Sequence, residues 1–433
     1  MKVIISKNGL MSQLRNGYYS FLVALVTLII LPIHIHYLPP FMALWCIAWI
    51  LENYSRFGYA FYYRKEFSLL FILFVSYYTW ETIGLLYTTD MKMGLSNLFG
   101  RLSLILFPLT LFYPGKKIKN NVKLLTKMFA LSTLIFMLYC FGNALFRSVN
   151  LQDGLWTFNP HPPEYFWLNY FYASDLTGSQ HPSYVSMYVI LSTFVCFEAW
   201  FDYSLKFLNR IVWLMIGFVL LIFQYFLSSR AGILISLVLV PLYFIVKFRD
   251  LGKKRFAWVW IILLLIALLP LIVKNQRVEY LYGRIVNKQV GYERKKDPRF
   301  LIWESSLKLA RKNLFFGVGI GDVRTELALE YKRIGEEKMA QERLNAHNQF
   351  LEILLENGII GLILFGAIFA VMGYIALSER NLLYGMFIII MLGFFMFETI
   401  LYRLAGVSFF SIFSFLLLNS NTADKKLKSP KII

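Results

Sequence analysis

The sequence predicts an all-α, polytopic membrane protein, and three observations carry that prediction. Of 433 residues, 58% are apolar and only 16% charged, and the mean hydropathy of +0.57 lies well outside the range of soluble globular domains. Apolar runs of membrane length recur along the chain, because about 20 helical residues cross ~30 Å of hydrocarbon. The 41 Phe and 27 Tyr suit lipid-facing surfaces and interfacial belts, where a ring buries its face and keeps a polar tip wet.

Twelve spans meet the length test, near 17–35, 38–52, 67–88, 95–113, 124–146, 183–201, 207–227, 231–247, 257–273, 351–376, 382–400 and 404–418. The second and last are short. The first follows Lys2, Lys7 and Arg15 and leads into further spans without a small-residue cleavage site, so no cleavable signal is expected. Basic residues in the short connections set orientation. With the start inside, the inner segments carry Arg56, Arg64 and Lys65; Lys116, Lys117 and Lys119; Lys206 and Arg210; Arg249, Lys253, Lys254 and Arg255; Arg380; and a tail with Lys425, Lys426, Lys428 and Lys431. The short outer connections carry little beyond Lys92, Arg230 and Arg403. Both termini are therefore expected in the cytoplasm. Much of the formal charge of +19 then reflects orientation, and no nucleic-acid partner is inferred. Cys46, Cys140 and Cys196 lie in or beside apolar runs, lack metal-ligand spacing, and read as small hydrophobes.

The expected organisation is nine spans over 1–273 with an outer segment at about 148–182, a charged helical outer loop at 274–350, three spans over 351–418, and a basic tail at 419–433. Within the loop, Asp297 suits an N-cap, Pro298 suits the first helical position, and Phe300, Trp303, Leu307 and Ala310 recur at helical spacing. The pattern breaks at GVGIGD, where Gly317, Gly319 and Gly321 read as a turn, since no strand precedes them and the P-loop lysine is missing. A second, polar helix is expected over 322–341.

His347, Leu351, Leu354, Gly358 and Gly361 are spaced by 4, 3, 4 and 3 residues, one stripe on a continuous helix whose glycines would admit a neighbouring helix. His347 would crown that face, either as a capping or interfacial histidine or as a functional group. Arg230 occupies a very short outer turn, where a salt bridge, snorkelling or anion binding would each explain it. Arg299 begins the loop helix one turn before Trp303, which it could stack upon. Arg101 and Glu81 lie in the outer thirds of neighbouring spans and suggest a structural ion pair before any substrate role. His181 opens the sixth span beside Pro182, as a second active-site group or an interfacial histidine. No metal-ligand cluster, serine elbow or HExxH is present.

These parts together resemble the O-antigen ligase and polymerase superfamily. The most specific part is His347 and Asn348, then nine residues (QFLEILLEN), then Gly358 and Gly361, similar to the His, Asn/Ser/Gln, x9, Gly-x-x-Gly pattern of the ligases. Arg230 at a span's outer end and Arg299 about fifty residues before the histidine occupy places where the family has arginines. HPSY, from His181, departs from the Asn-Pro-Asn type sequence of many relatives, so His181 inherits no role from the general pattern.

The resemblance implies an inner-membrane glycosyltransferase with its active site on the periplasmic side. It would move a polysaccharide from undecaprenyl diphosphate to a sugar hydroxyl of lipid A core, with inversion and with neither metal nor cofactor. His347 would be the catalytic base. Arg230 and Arg299 would bind the diphosphate, and Asn348 would orient the base or the acceptor sugar. Arg101 and His181 complete the candidate substrate-binding residues. Two other readings stay open: a polymerase that joins lipid-linked repeat units, and a transporter of lipid-linked sugars, for which Glu81, Arg101 and Glu398 would be the midplane groups.

Overall fold

A computed structural model of the chain describes residues 12–14, 16–54, 65–152, 154–162, 168–178, 180–252 and 298–419. The ninth expected span, the N-cap at Asp297 and the basic tail lie outside them, apart from Asn419. The described residues are almost wholly helical. Among the described residues, eight helices are long and apolar enough to cross a membrane, with shorter apolar helices at Tyr18–Ile33, Leu382–Phe395 and Leu404–Leu416. The protein is thus a multi-pass membrane protein, and eleven of the twelve expected spans coincide with apolar helices. The exception to helix is a hairpin in the 148–182 segment, β1 (Val149–Gln152) against antiparallel β2 (Leu155–Phe158).

The described residues of Met1–Ser132 and Pro298–Ile433 form one compact unit, and those of Thr133–Asp297 form another. The first unit contains α1 (Tyr18–Ile33), α2 (Leu38–Tyr54), α3 (Lys65–Ile83), α4 (Met91–Gly100) and α5 (Ser103–Phe112), and α6 (Val122–Ser148) begins in it. The second unit contains the rest of α6, the hairpin, α7 (Pro182–Trp200), α8 (Phe207–Phe226) and α9 (Arg230–Asp250). The chain then returns to the first unit with α10 (Pro298–Lys312), α11 (Val323–Arg333), α12 (Gln349–Ser378), α13 (Leu382–Phe395) and α14 (Leu404–Leu416).

In the first unit α3 is central, packed on α5 and α12, while α14 covers α5. Large aromatic rings fill the space between them, with Phe74 against Phe410 and Phe415, and Tyr77 against Phe365. Buried Glu52 of α2 accepts the backbone amides of Tyr19 and Ser20 at 2.8 and 2.9 Å. A carboxylate therefore satisfies the otherwise unpaired donors at the α1 N-terminus. In the second unit α7 is buried almost all round and packs along α8, where Gly217 makes room for the Phe197 ring. Ser186 and Gln224 pair across that seam.

Three breaks depart from the continuous spans the sequence predicts. The fourth span divides at Arg101 into α4 and α5. The tenth span, α12, kinks at Gly358, whose φ of 63° and ψ of −166° lie outside the helical region. The eleventh stops at Phe395, and residues 396–399 lead into a 3-10 turn at Ile400–Tyr402. Broken helices survive in a membrane when other groups take up the freed backbone donors and acceptors. Those groups are found in and around the candidate site.

Candidate active site

The GVGIGD turn supplies the first set. At the α12 kink the carbonyl oxygens of Leu355 and Glu356 accept the amides of Val318 (2.7 Å) and Gly319 (3.2 Å), while the Ile359 amide donates to Leu314 O at 2.8 Å. The turn lies so close that a Cβ on Gly358 would stand 2.1 Å from Phe315 O, and one on Gly317 2.4 Å from Leu355 O. Gly358 therefore admits the backbone of the loop where the sequence reading expected a neighbouring helix. The turn's amides at Val318, Gly319 and Gly321 are consumed within the protein, the last by Thr88 Oγ1 at 2.9 Å, which agrees with a turn in place of a phosphate cradle.

Asp322 fastens the other edge of the turn. Its carboxylate accepts the amides of Thr89 (2.6 Å) and Asp90 (2.8 Å) and the Thr89 hydroxyl (3.0 Å). Burial alone would raise its pKa, but the hydrogen bonds from Thr89, Asp90 and Thr88 outweigh burial and hold it below the usual aspartate value.

Beyond the turn the expected helix over 322–341 is two, α11 and a short helix Glu337–Gln341, separated at Gly335. They pack with α10 through Ile302, Leu309, Leu327, Tyr331 and Met339 onto Leu355 of α12. The buried face of α10 is therefore Ile302, Ser305, Ser306, Leu309 and Ala310. Of the stripe predicted from spacing, Phe300 and Leu307 are exposed instead. Glu330, nearly sealed from solvent, joins α11 to α10 by accepting Lys312 (3.2 Å) and its own neighbour Arg333 (2.7 Å).

The helix α12 begins at Gln349, not at His347. Asn348 is its N-cap, with an extended backbone and a side-chain oxygen that accepts the amides of Phe350 (2.9 Å) and Leu351 (3.1 Å). His347 precedes the cap with φ of 44°, a left-handed conformation that side chains other than glycine rarely adopt. The stripe expected from His347 to Gly361 is accordingly broken twice, at the cap and at Gly358. Sparse backbone regions of this kind persist where the surroundings over-determine them. Here three side chains do so: Asn345 donates to Thr399 Oγ1 (2.7 Å) and accepts the His347 amide (3.2 Å), Asn348 donates to Met396 O (3.2 Å), and Gln349 accepts the Leu401 amide (2.8 Å). Glu352 takes the Ala346 amide at 3.0 Å.

This clasp binds the His347 turn to residues 396–401, and Glu398 lies in that segment. Its Oε2 is 3.4 Å from His347 Nδ1 and its Oε1 is 3.6 Å from an Arg299 guanidinium nitrogen. The three side chains are each partly exposed, at 32% for His347, 36% for Arg299 and 20% for Glu398, so a ligand could reach all of them. Close by in the fold, Arg324 of α11 lies over the Tyr402 ring at 4.3 Å.

Arg101 is placed differently. It is 1% exposed, and its guanidinium is divided between Glu81 at 2.6 Å and both oxygens of Glu356, at 2.7 and 2.6 Å. The ion pair suggested for Glu81 and Arg101 is present, and Glu356 enlarges it to a triad. The triad ties α3, the α4 break and the α12 kink together. Arg230 and His181 belong to the second unit. Arg230 is the exposed first residue of α9, capped by Ser229 through the Gly232 amide at 3.3 Å. His181 caps α7, with Nδ1 accepting the Ser183 amide at 3.3 Å.

The sequence reading missed the roles of Glu398, Glu356 and Asn345. Glu398 is 51 residues from His347, so helical spacing could not link them; its only signal was a carboxylate at the end of an apolar run. The histidine and Gly-x-x-Gly spacing lies within a segment that the comparisons single out: residues 211–366 match a family model described as O-antigen ligase. The matched segment contains Arg230, Arg299, His347, Asn348, Gly358 and Gly361, and ends before Glu398. No curated protein matches the chain.

Proposed function

Because the chain carries an O-antigen ligase family domain over residues 211–366, we propose that it transfers a polysaccharide from undecaprenyl diphosphate to a sugar hydroxyl of lipid A core, at the periplasmic face of the bacterial inner membrane. The observation that carries this reading is the His347 turn, where an imidazole and the Arg299 guanidinium meet one carboxylate at the head of a membrane helix. A lipid diphosphate headgroup resides at such a boundary, and an acceptor sugar arrives from water.

The chemistry divides among the residues by charge. Cleavage of the sugar–phosphate bond leaves growing negative charge on the diphosphate, which guanidinium groups stabilise by bidentate hydrogen bonds. Arg299 takes that role, and the resemblance alone proposes the same class of role for Arg230 in the second unit. The attacking hydroxyl must lose its proton as its oxygen meets the anomeric carbon from the face opposite the diphosphate, and His347 accepts it. Asn348 contributes by fixing the helix start beside the base, since its side chain is already engaged. Arg101 acts through Glu356, holding the kink in place. His181, the N-cap of α7, stays a candidate substrate-binding residue with no role drawn from the family pattern.

The test is transfer by purified protein from lipid-linked glycan to lipid A core. His347→Ala is expected to lower the rate by a factor of about 10² or more; an unchanged rate removes the central assignment. Withholding the core distinguishes the polymerase reading, which expects longer lipid-linked chains where the ligase reading expects no product. Arg299→Lys keeps the charge but loses the planar fork, and it is expected to raise the donor KM several-fold. Wild-type donor affinity in that variant would remove the diphosphate role.

A further inference from the structure

We infer that the hairpin of β1 and β2 lies on the membrane surface, its apolar face set among the glycerol groups and upper acyl carbons of the phospholipids at the Ser148 end of α6. In the orientation proposed above this is the periplasmic leaflet. Strand pairing gives the hairpin two unlike faces. Val149 opposes Phe158 and Leu151 opposes Trp156, while Asn150 opposes Thr157. Side chains alternate along a strand, so the first two pairs share one face and the third lies on the other. Val149, Leu151, Trp156 and Phe158 are all exposed, Trp156 to 75%. Side by side in water, four such side chains are unfavourable. In the headgroup layer they are favoured, and an indole most of all.

The helix that precedes the hairpin identifies what covers that face. Lys123 and Lys127 mark one end of α6 and Arg147 the other, and residues 128–146 between them carry no charge, about the length that crosses ~30 Å of hydrocarbon. Ile135, Leu138, Tyr139, Leu145 and Phe146 are exposed and, with Gly142 open between them, form one side of the helix. That lipid-facing stripe ends at Phe146, and the apolar face of the hairpin begins at Val149. Arg147 marks the headgroup level, its guanidinium over the Tyr170 ring at 4.3 Å and donating to Asp175 O at 2.7 Å. The hairpin is also tied down: Phe158 packs on Phe171 with ring centres 6.2 Å apart, and Phe171 on Phe141 of α6 at 5.0 Å, about two helical turns inside the span. A sugar-stacking platform would set hydrogen-bonding groups beside the indole. Here the neighbours of Trp156 on its own face are Leu151 and Phe158, while Asn150 and Thr157 belong to the opposite face.

The experiment places single spin labels at Leu151→Cys and Trp156→Cys on one face and at Asn150→Cys and Thr157→Cys on the other, with Cys46, Cys140 and Cys196 replaced by Ala. The full chain is held in nanodiscs of phosphatidylethanolamine and phosphatidylglycerol, which open both leaflets to reagents, so the reading does not depend on orientation. Power saturation compares collision with oxygen, which concentrates among acyl chains, and with a water-soluble nickel chelate. The oxygen-to-nickel ratio is expected to be several-fold higher at 151 and 156 than at 150 and 157. Equal ratios would put both faces in water, as a sugar-stacking platform requires, and would overturn the inference. Weak collision with both reagents at 151 and 156 would mean that protein covers them, another segment of this chain or a second copy, and would overturn it as well. A second measurement needs no cysteine. The emission lost between the wild-type chain and Trp156→Phe is expected to be strongly quenched by phospholipids brominated near the headgroup, and an unquenched difference overturns the inference. Both readouts report where the hairpin lies, so their outcome is independent of the transferase reading.

Discussion

Asp322 and Arg101 show how single side chains hold the site's architecture. The Asp322 carboxylate receives three hydrogen bonds from Thr89 and Asp90, so Asp322→Ala is expected to cost about 2 kcal/mol of stability, measured by thermal or denaturant unfolding in detergent. Its folded pKa lies below its unfolded one. The carboxylate therefore stabilises fully above the ordinary aspartate value and loses its contribution as pH falls through the folded value. The gap in melting temperature between wild type and Asp322→Ala should narrow as pH falls from about 4, the ordinary aspartate value, through the lower folded value; a constant gap would deny the charge its role. The Arg101 triad is buried on all sides, so Glu356→Ala removes two of its guanidinium's three carboxylate bonds and takes the carboxylate from buried Nη2, while Glu81 still balances the charge. A loss of about 3 kcal/mol is expected, with Glu356→Gln milder.

At the scale of elements, the site is made from helix ends and helix breaks. The α12 kink exists because Gly358 adopts a left-handed φ and lets the 314–319 backbone pair with the freed carbonyls of Leu355 and Glu356. A methyl group there meets both strain and the Phe315 carbonyl. Gly358→Ala should therefore destabilise by more than about 1 kcal/mol and lower transfer, whereas Gly366→Ala, further along the same helix with nothing within 4 Å, should be neutral or slightly stabilising. Equal melting temperatures for the two variants would show that the kink is not glycine-dependent. The spacing of Gly358 and Gly361 was visible in the sequence, but its purpose was not. Helical periodicity assumes a continuous helix, and only the loop laid against Gly358 shows why this one stops. The same assumption misplaced Phe300 and Leu307, which point outward because α11 packs on the opposite side of α10.

For the whole molecule, the proposed orientation puts the α10–α11 cap and the His347 turn on the periplasmic side. A cysteine introduced at Gln341, an exposed residue of the cap, should react with a membrane-impermeant reagent added from the periplasmic side of spheroplasts. Labelling from the cytoplasmic side alone would reverse the orientation and move the proposed chemistry to the wrong face. The basic residues that support this orientation are spread over many short connections, so it is a property of the chain as a whole.

Composition and the length of the apolar runs by themselves determined that this is a helical multi-pass membrane protein, and eleven of the expected runs coincide with apolar helices among the described residues, eight helices there being of membrane length. They act locally or additively: each run of apolar residues must be buried in lipid or protein whatever its neighbours do. Spacing also located His347, Asn348 and the two glycines. Tertiary structure alone decided that His347 sits before the helix in a left-handed conformation, that Glu398 faces its Nδ1, and that Arg101 is shared between Glu81 and Glu356. Such pairings depend on where distant helices end and which breaks face each other. A one-dimensional pattern holds the residues for them without specifying the approach of one segment to another.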